Sequence, residues 1–438
     1  MTIFVNRKED LEKLEKWEGQ VALLFGRRRV GKSRLIKEFI KNKNAMYLLC
    51  ADMGLQYNLE NFSRSISERF EIPGLRFESF REMFRFLAKQ DLDFLCIDEF
   101  GYLVKTGVIP EFQEIIDEIL EQKLFLCGSN VSMMISEITG YDSPTYGRID
   151  LIKKIHPLGF KGILEWFPKI STEDAISIHA VTGGVPRYLE FFTGENIQYE
   201  IRQKMFDPDL MLFRDTKLLL QEEMPEPTRY YLILESIALG KNSLTEISNF
   251  SGIDRNQIPY YLNMVRDLGF LIHEKPLMAK KRGIYRIVDN YMRFWFRFIS
   301  PFYEEIDSVN LNNARRNFDH DFNTYLGEIF EDICRETVAR TGMIEYTQMR
   351  RWWWKENEID IAAINEEKGE LILGECKWKM DVDAERVVHQ LKEKADHLKW
   401  NNDDRNEKYL IFARSFSRKS DEADCLDLED LRKIIESG

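Results

Sequence analysis

One stretch constrains this chain more than any other. It runs Leu23-Leu24-Phe25-Gly26-Arg27-Arg28-Arg29-Val30-Gly31-Lys32-Ser33 and continues into Arg34-Leu35-Ile36-Lys37-Glu38-Phe39. An apolar run, a glycine loop and a helix-like segment read as strand, turn and helix. The spacing Gly-x-x-x-x-Gly-Lys-Ser is the phosphate-loop pattern. Glycine lets the backbone fold tightly enough for successive N–H groups to point at phosphate oxygens. Lys32 can then reach β- and γ-phosphates, and the Ser33 hydroxyl can ligate Mg²⁺. The positive end of the following helix, which carries Arg34, adds to the anion site.

The chain has 438 residues, enough for roughly three domains. Hydrophobic content of 44% and charged content of 31% are ordinary for a globular protein. No apolar run approaches the ~18–20 residues of a membrane span. The N-terminus, Met1 to Glu9, lacks a signal-peptide pattern. None of the six cysteines falls in a Cys-x-x-Cys pair, so the expectation is a reducing, cytoplasmic location without structural zinc. The net charge of −12 argues against coating nucleic acid through bulk charge and leaves a local basic groove open.

The second chemical landmark is Asp93-Phe94-Leu95-Cys96-Ile97-Asp98-Glu99-Phe100. Apolar residues ending in Asp-Glu fit a buried parallel strand with acids at its carboxyl end, the edge where open α/β sheets bind ligands. Asp98 is expected to hold Mg²⁺ through water, and Glu99 to orient or deprotonate the attacking water. A further apolar strand, Leu124 to Cys127, ends in Gly128-Ser129-Asn130. Ser129 or Asn130 reads either as a nucleotide sensor or as a turn with a helix cap. Arg148, before a last strand over 149–155, is a candidate finger or sensor arginine, since charge on the transferring phosphoryl needs a cation. The alternative is a structural arginine.

Residues 157–222 read as a helical lid. Within it, Gly183-Gly184-Val185-Pro186-Arg187 combines a sharp turn with a preset helix start; if the lid covers the nucleotide, Arg187 could sense it from there. Over 226–292 the order helix, helix, turn, helix and two strands around Lys280-Lys281-Arg282 describes a winged helix. Its second paired helix, with Arg255, Asn256, Gln257, Tyr260 and Tyr261, suits DNA contacts; the other reading is a packing module. The aromatic run Phe294-Trp295-Phe296-Arg297-Phe298 reads as an anchoring core helix.

The last segment carries Glu331 on a helix, Asp360 at the end of a strand-like run, and Glu375-Cys376-Lys377 on the next strand. Glu375 and Lys377 are two apart and so share a face. Two carboxylates and a lysine converging there, with Glu331 as a third acid, can bind Mg²⁺ and set a water against a phosphodiester.

Taken together, Asn6-Arg7-Lys8-Glu9, the phosphate loop, Ile97-Asp98-Glu99-Phe100, Thr145-Tyr146-Gly147-Arg148 and Gly183-Gly184-Val185-Pro186-Arg187-Tyr188-Leu189 resemble the archaeal-type ATPases, a branch of P-loop ATPases related to AAA+ and STAND proteins. The segment from Arg282 to Phe296 is similar to that family's junction after the winged helix. The C-terminal segment is similar to its partner domain of unknown function, itself like PD-(D/E)xK nucleases, with Ile359 where the motif's proline stands.

The resemblance implies ATP and Mg²⁺ as cofactors, and Lys32, Glu99 and Arg148 as catalytic. It assigns Ser33 and Asp98 to Mg²⁺, and places Pro186 near the nucleotide. It also implies a nuclease-type centre of Glu331, Asp360, Glu375 and Lys377, with Gln390 as accessory. The expected architecture is α/β. It comprises a P-loop parallel sheet (1–156), a helical lid (157–222), a winged helix-turn-helix (223–300), and a linker helix with a restriction-endonuclease-like domain (301–438). Two functions fit: an ATPase coupled to a DNA-binding or nuclease module, and an ATP-driven regulatory switch whose C-terminal domain binds a protein partner. A ring or dimer is required if Arg148 acts in trans.

Overall fold

The computed structural model describes residues 4–129, 133–279 and 283–437. The chain separates into two compact units, Met1–Leu158 with Val185–Arg187, and Gly159–Gly184 with Tyr188–Gly438. Asn130 and the basic tip Lys280, Lys281 and Arg282 lie outside the described residues.

The first unit is built on strands β1 (Val21–Phe25), β2 (Ala45–Leu49), β3 (Phe94–Asp98), β4 (Lys123–Gly128) and β5 (Leu151–Lys154). All pair in parallel, in the order β2-β3-β4-β1-β5. All five residues of β1 are buried, as a central strand covered on both faces requires. The chain leaves β1 toward β2 but leaves β4 toward β5, so the strand order reverses between β1 and β4. That switch point, at the carboxyl edge, is where such sheets bind ligands. The helix Lys32–Ile40 buries Leu35, Ile36 and Phe39, each contributing about 1.5–3 kcal/mol of apolar burial. They join the core that holds Leu24, Cys96, Phe125 and Trp17.

In the second unit, helices Phe160–Trp166, Thr172–Thr182, Ile197–Lys204 and Met211–Glu223 precede a three-helix group, Pro227–Ala238, Leu244–Ser251 and Ile258–Leu268. Ser243 and Glu246 form a reciprocal capping box on the second of these, and Gly252 ends it at φ 69°, a left-handed conformation open to glycine. Strands β6 (Leu271–Glu274) and β7 (Ile284–Ile287) then pair antiparallel. The aromatic run is core: Phe294, Trp295, Phe296 and Phe298 are fully buried, and Trp295 donates to the Phe213 carbonyl at 2.7 Å.

The long helix Asn312–Thr341 leads into a mixed sheet of β8 (Gln348–Trp354), β9 (Asn357–Asn365), β10 (Glu370–Lys377), β12 (Asn406–Ala413) and β14 (Ala423–Leu426), ordered β14-β12-β10-β9-β8. β8, β9 and β10 are antiparallel neighbours, while β12 and β14 run parallel to β10. The helix Ala384–Ala395 makes the crossover from β10 to β12 and buries Val387, Val388 and Leu391 in the core of this sheet. The short strands β11 (Val382–Asp383) and β13 (Phe416–Arg418) pair beside it.

Candidate functional site

The phosphate loop leaves β1 at its carboxyl end and enters the helix Lys32–Ile40 through Gly31, at φ 93°. A side chain is strained in that conformation. Arg29 adopts φ 71° without being glycine, a strain of order 1–3 kcal/mol that tight functional loops hold. The Lys32 ammonium is buried and donates to the carbonyls of Gly26 (2.8 Å) and Arg27 (3.0 Å). It therefore crosses the mouth of the loop, on the side where phosphate oxygens would replace those carbonyls. A methyl group on Gly31 would sit 3.8 Å from the Pro186 ring, so Pro186 does stand beside the loop.

Arg7 was legible only as part of the family-like N-terminal run. Its guanidinium donates to the carbonyls of Val30 (2.7 Å) and His156 (2.8 Å) and pairs with Asp10 (3.1 Å). It fastens the phosphate loop to the residues that follow β5. Arg28 reaches the Tyr102 hydroxyl at 3.2 Å.

Asp98 ends β3 and is fully buried. One carboxylate oxygen accepts the Glu99 N–H at 2.9 Å and the other accepts the Tyr47 hydroxyl. Burial, and then Asp98, push the Tyr47 hydroxyl and the Cys127 thiol well up, so both remain protonated. Neither of the two donors to Asp98 brings a positive charge. A buried carboxylate solvated by neutral donors is the setting a divalent cation neutralises. Mg²⁺ keeps several waters and needs one or two protein ligands beside phosphate oxygens, so Asp98 and Ser33 fit it.

Glu99 turns sharply away from the strand at φ 53°. Its carboxylate accepts the Ser129 hydroxyl at 2.9 Å, and Phe100 N–H closes on the Cys127 carbonyl at 2.7 Å. β4 lies between β1 and β3, which is why the residue just past its end reaches Glu99. Of the two readings of Ser129, the structure places its hydroxyl on the acid.

Arg148 is elsewhere. It pairs bidentately with Asp117 (2.7 Å twice) and donates to the Pro144 carbonyl at 3.0 Å. It precedes β5, whose first residue Leu151 is in register with Ala22 at the start of β1. The phosphate loop leaves the other end of β1, ~13 Å away at ~3.3 Å per residue. The structure does not bring Arg148 to the phosphate loop of its own chain.

In the second unit the antiparallel register pairs Gly374 with Ile361, and one step further it sets Glu375 opposite Asp360. A Cβ on Gly374 would lie 3.0 Å from that of Ile361, so glycine permits the close approach here. Asp360 accepts the Cys376 N–H at 2.8 Å. Glu375 is held by two lysines: Lys377 at 2.6 Å, and Lys394 at 2.9 and 3.1 Å on its two oxygens. Lys394 comes from the crossover helix, and no spacing in the sequence links it to Glu375. Gln390 lies one turn earlier on that helix and is exposed.

Glu331 faces Arg351 at 3.7 Å. Burial first, and then mutual repulsion within the acid cluster, hold the Asp360 and Glu331 carboxyls above the ordinary range. Among the described residues no three or more His, Cys, Asp or Glu side chains are arranged to hold a metal ion. The expected trio of Glu331, Asp360 and Glu375 is thus close in space but divided among cations: Arg351 takes the first, Lys377 and Lys394 the last.

On the helix Ile258–Leu268, Tyr260 is exposed but Tyr261 is buried. The Tyr261 hydroxyl donates to Glu226 at 2.7 Å and accepts from Arg229. Tyr261 is a packing residue, not the nucleic-acid contact expected. Arg255, Asn256 and Gln257 are exposed. Leu277, after β6, is buried in the core of the mixed sheet, and its N–H pairs with the Arg351 carbonyl at 2.8 Å.

A parallel sheet of this order, with a Gly-Lys-Ser loop at its switch point and Asp-Glu ending β3, defines a P-loop nucleotide-binding protein. Residues 4–192 match an "ATPase domain predominantly from Archaea", and residues 295–388 match "Archaea bacterial proteins of unknown function". An uncharacterized protein of Methanocaldococcus jannaschii is 31% identical over 98% of this chain and 100% of its own length. The chain belongs to this family of archaeal ATPases with a C-terminal domain of unknown function.

An uncharacterized ATP-binding protein of the same organism is 55% identical over 47 residues, 10% of this chain and 80% of that one. The Walker-type ATPase of Pyrococcus abyssi shares the fold, with a TM-score of 0.53 and 21% identity over 67% of this chain and 96% of that one. The ATPase domain implies ATP binding and hydrolysis. No helix among the described residues is long and apolar enough to cross a membrane.

Proposed function

We propose that the chain is a Mg²⁺-dependent ATPase whose turnover serves a phosphodiester-handling C-terminal domain. The observation that carries the ATPase reading is the placement of Glu99. Its carboxylate is fixed by Ser129 at 2.9 Å at the same sheet edge as Lys32, where a lytic water meets a γ-phosphate. Lys32 exchanges its two loop carbonyls for phosphate oxygens, which costs little because the donors are already oriented. Glu99 orients the water and accepts its proton. Ser33 and Asp98 would hold Mg²⁺, which would supply charge to neutralise that developing on the phosphate. Arg148 is paired with Asp117, so a finger role for it would require a neighbouring chain's nucleotide.

The nuclease-like reading rests on the cross-strand pair Asp360 and Glu375 with Lys377 beside it, on a sheet that follows a helix and is crossed by another. That mixed topology supports the restriction-endonuclease-like reading. A cation between Asp360 and Glu375 would relieve their repulsion, in competition with Lys377 and Lys394 for Glu375. A second reading, the partner-binding switch, is favoured by Leu277. The root of the wing is packed in the C-terminal core, as a packing module requires.

One experiment separates them: ATP hydrolysis and cleavage of linear, branched and single-stranded DNA, with Mg²⁺ or Mn²⁺, by the native chain and three variants. Lys32→Ala is expected to lose ATP binding, and Glu99→Gln to bind but turn over ~10²–10⁴-fold slower. Asp360→Ala is expected to lose cleavage alone. Normal hydrolysis by the Lys32 variant would refute the ATPase assignment. Cleavage indifferent to Asp360, or none with any metal, leaves the switch.

A further inference from the structure

We infer that Tyr47 is a positioning residue of the nucleotide site, holding Asp98 in the orientation that receives hydrated Mg²⁺ with ATP. The assignment rests on the reading of Asp98 and Ser33 as Mg²⁺ residues. It begins with strand register. β2 and β3 are parallel, with Tyr47 beside Cys96 and Leu49 beside Asp98. Side chains alternate along a strand, so Cys96 and Asp98 share a face, and Tyr47 points out of that same face diagonal to Asp98. Diagonal neighbours are ~7–8 Å apart, a gap an aromatic side chain spans. Tyr47 spans it, and its hydroxyl donates to the Asp98 carboxylate.

The helix after the phosphate loop lies over this face. Ser33 and Lys37 are four residues apart on it and so lie one above the other. Lys37 Nζ stands 4.7 Å from the Tyr47 ring centroid, so the ring lies against the helix that carries Ser33 while its hydroxyl reaches Asp98. With Glu99 N–H on one Asp98 oxygen and Tyr47 O–H on the other, the carboxylate plane is fixed from both sides. A carboxylate has about four lone-pair sites, so these two bonds leave others for metal-bound water. A tyrosine kept only for packing needs its ring; this one uses its hydroxyl.

Removing that oxygen alone is therefore the test. A non-hydrolysable ATP analogue is titrated by calorimetry into the native chain, Tyr47→Phe and Ser33→Ala, each in Mg²⁺ and in EDTA, with melting temperatures alongside. Tyr47→Phe is expected to bind as the native chain does in EDTA and to melt within a few degrees of it. Its gain in affinity from Mg²⁺ is expected to shrink about tenfold, the loss of one hydrogen bond to a charged acceptor. Equal weakening with and without Mg²⁺ would make Tyr47 merely structural. An unchanged Mg²⁺ gain would make its hydroxyl a bystander. If the native chain itself gained nothing from Mg²⁺, the metal reading of Ser33 and Asp98 would fall, and this inference with it.

Discussion

Lys394 illustrates what a single side chain adds to a site that a motif had outlined. Glu375 and Lys377 are two apart on β10 and meet as strand geometry requires. Lys394 arrives from the crossover helix and binds both Glu375 oxygens. A carboxylate that already holds two ammonium groups offers a metal little net charge. Lys394 therefore competes with a divalent cation for Glu375. Replacing it by methionine, Lys394→Met, keeps most of the stem's packing and frees one side of the acid. Mn²⁺ affinity without nucleotide is expected to rise about tenfold, a Coulomb effect of ~1 kcal/mol or more at a partly exposed site. Mn²⁺ calorimetry with Asp360→Ala as the blank checks this. A fall in affinity would mean that Lys394 orients Glu375 instead of competing for it.

At the scale of elements, the wing strands, the aromatic helix and the long helix are tied by charge. The Asp332 carboxylate accepts from Arg286 (2.7 and 3.0 Å), Arg293 (2.9 Å) and Arg335 (3.1 Å), which come from β7, the helix Asn290–Phe294 and its own helix. Burial alone would raise this carboxyl; the arginines Arg286, Arg293 and Arg335 outweigh it and hold it well below the usual range. Glu328, between Arg293 and Arg297, is likewise held down against its burial. A depressed folded-state pKa stabilises above the unfolded value and is lost as pH falls. Asp332→Asn is expected to cost about 3–5 kcal/mol at neutral pH, with the gap from the native chain closing as pH drops below ~4. Urea melts of the two proteins across that range measure it, and a gap independent of pH would remove the charge argument.

Legibility followed the same division. The phosphate loop and the Asp-Glu strand were readable because their geometry is local. Arg7, Tyr47 and Lys394 act across strand order and helix packing, which no single segment states. Tyr261 was misread although the signal was present: Ile258, Tyr261, Leu262, Val265 and Leu268 recur at helical spacing, and all are buried.

For the whole molecule, the question Arg148 raises is whether the ATPase needs a second chain. A parallel sheet has a working edge and an entry edge. A residue that precedes the first position of β5 belongs to the entry edge by strand direction alone. Asp117 is at the same edge, near the end of the helix Ile109–Glu118 that leads to β4, and its bidentate pair with Arg148 anchors the turn before β5. A finger must leave that pair and reach a neighbour's γ-phosphate, so its loss would lower turnover ~10³-fold or more. An anchor needs neither. The pair as it stands favours the anchor. Arg148→Ala is expected to keep its rate of ATP hydrolysis within about twofold at every protein concentration, because a surface pair contributes little. The decisive control mixes Arg148→Ala with Lys32→Ala protein. If each is inactive alone and the mixture hydrolyses ATP, the arginine of one chain completes the site of another, and the working unit is an assembly.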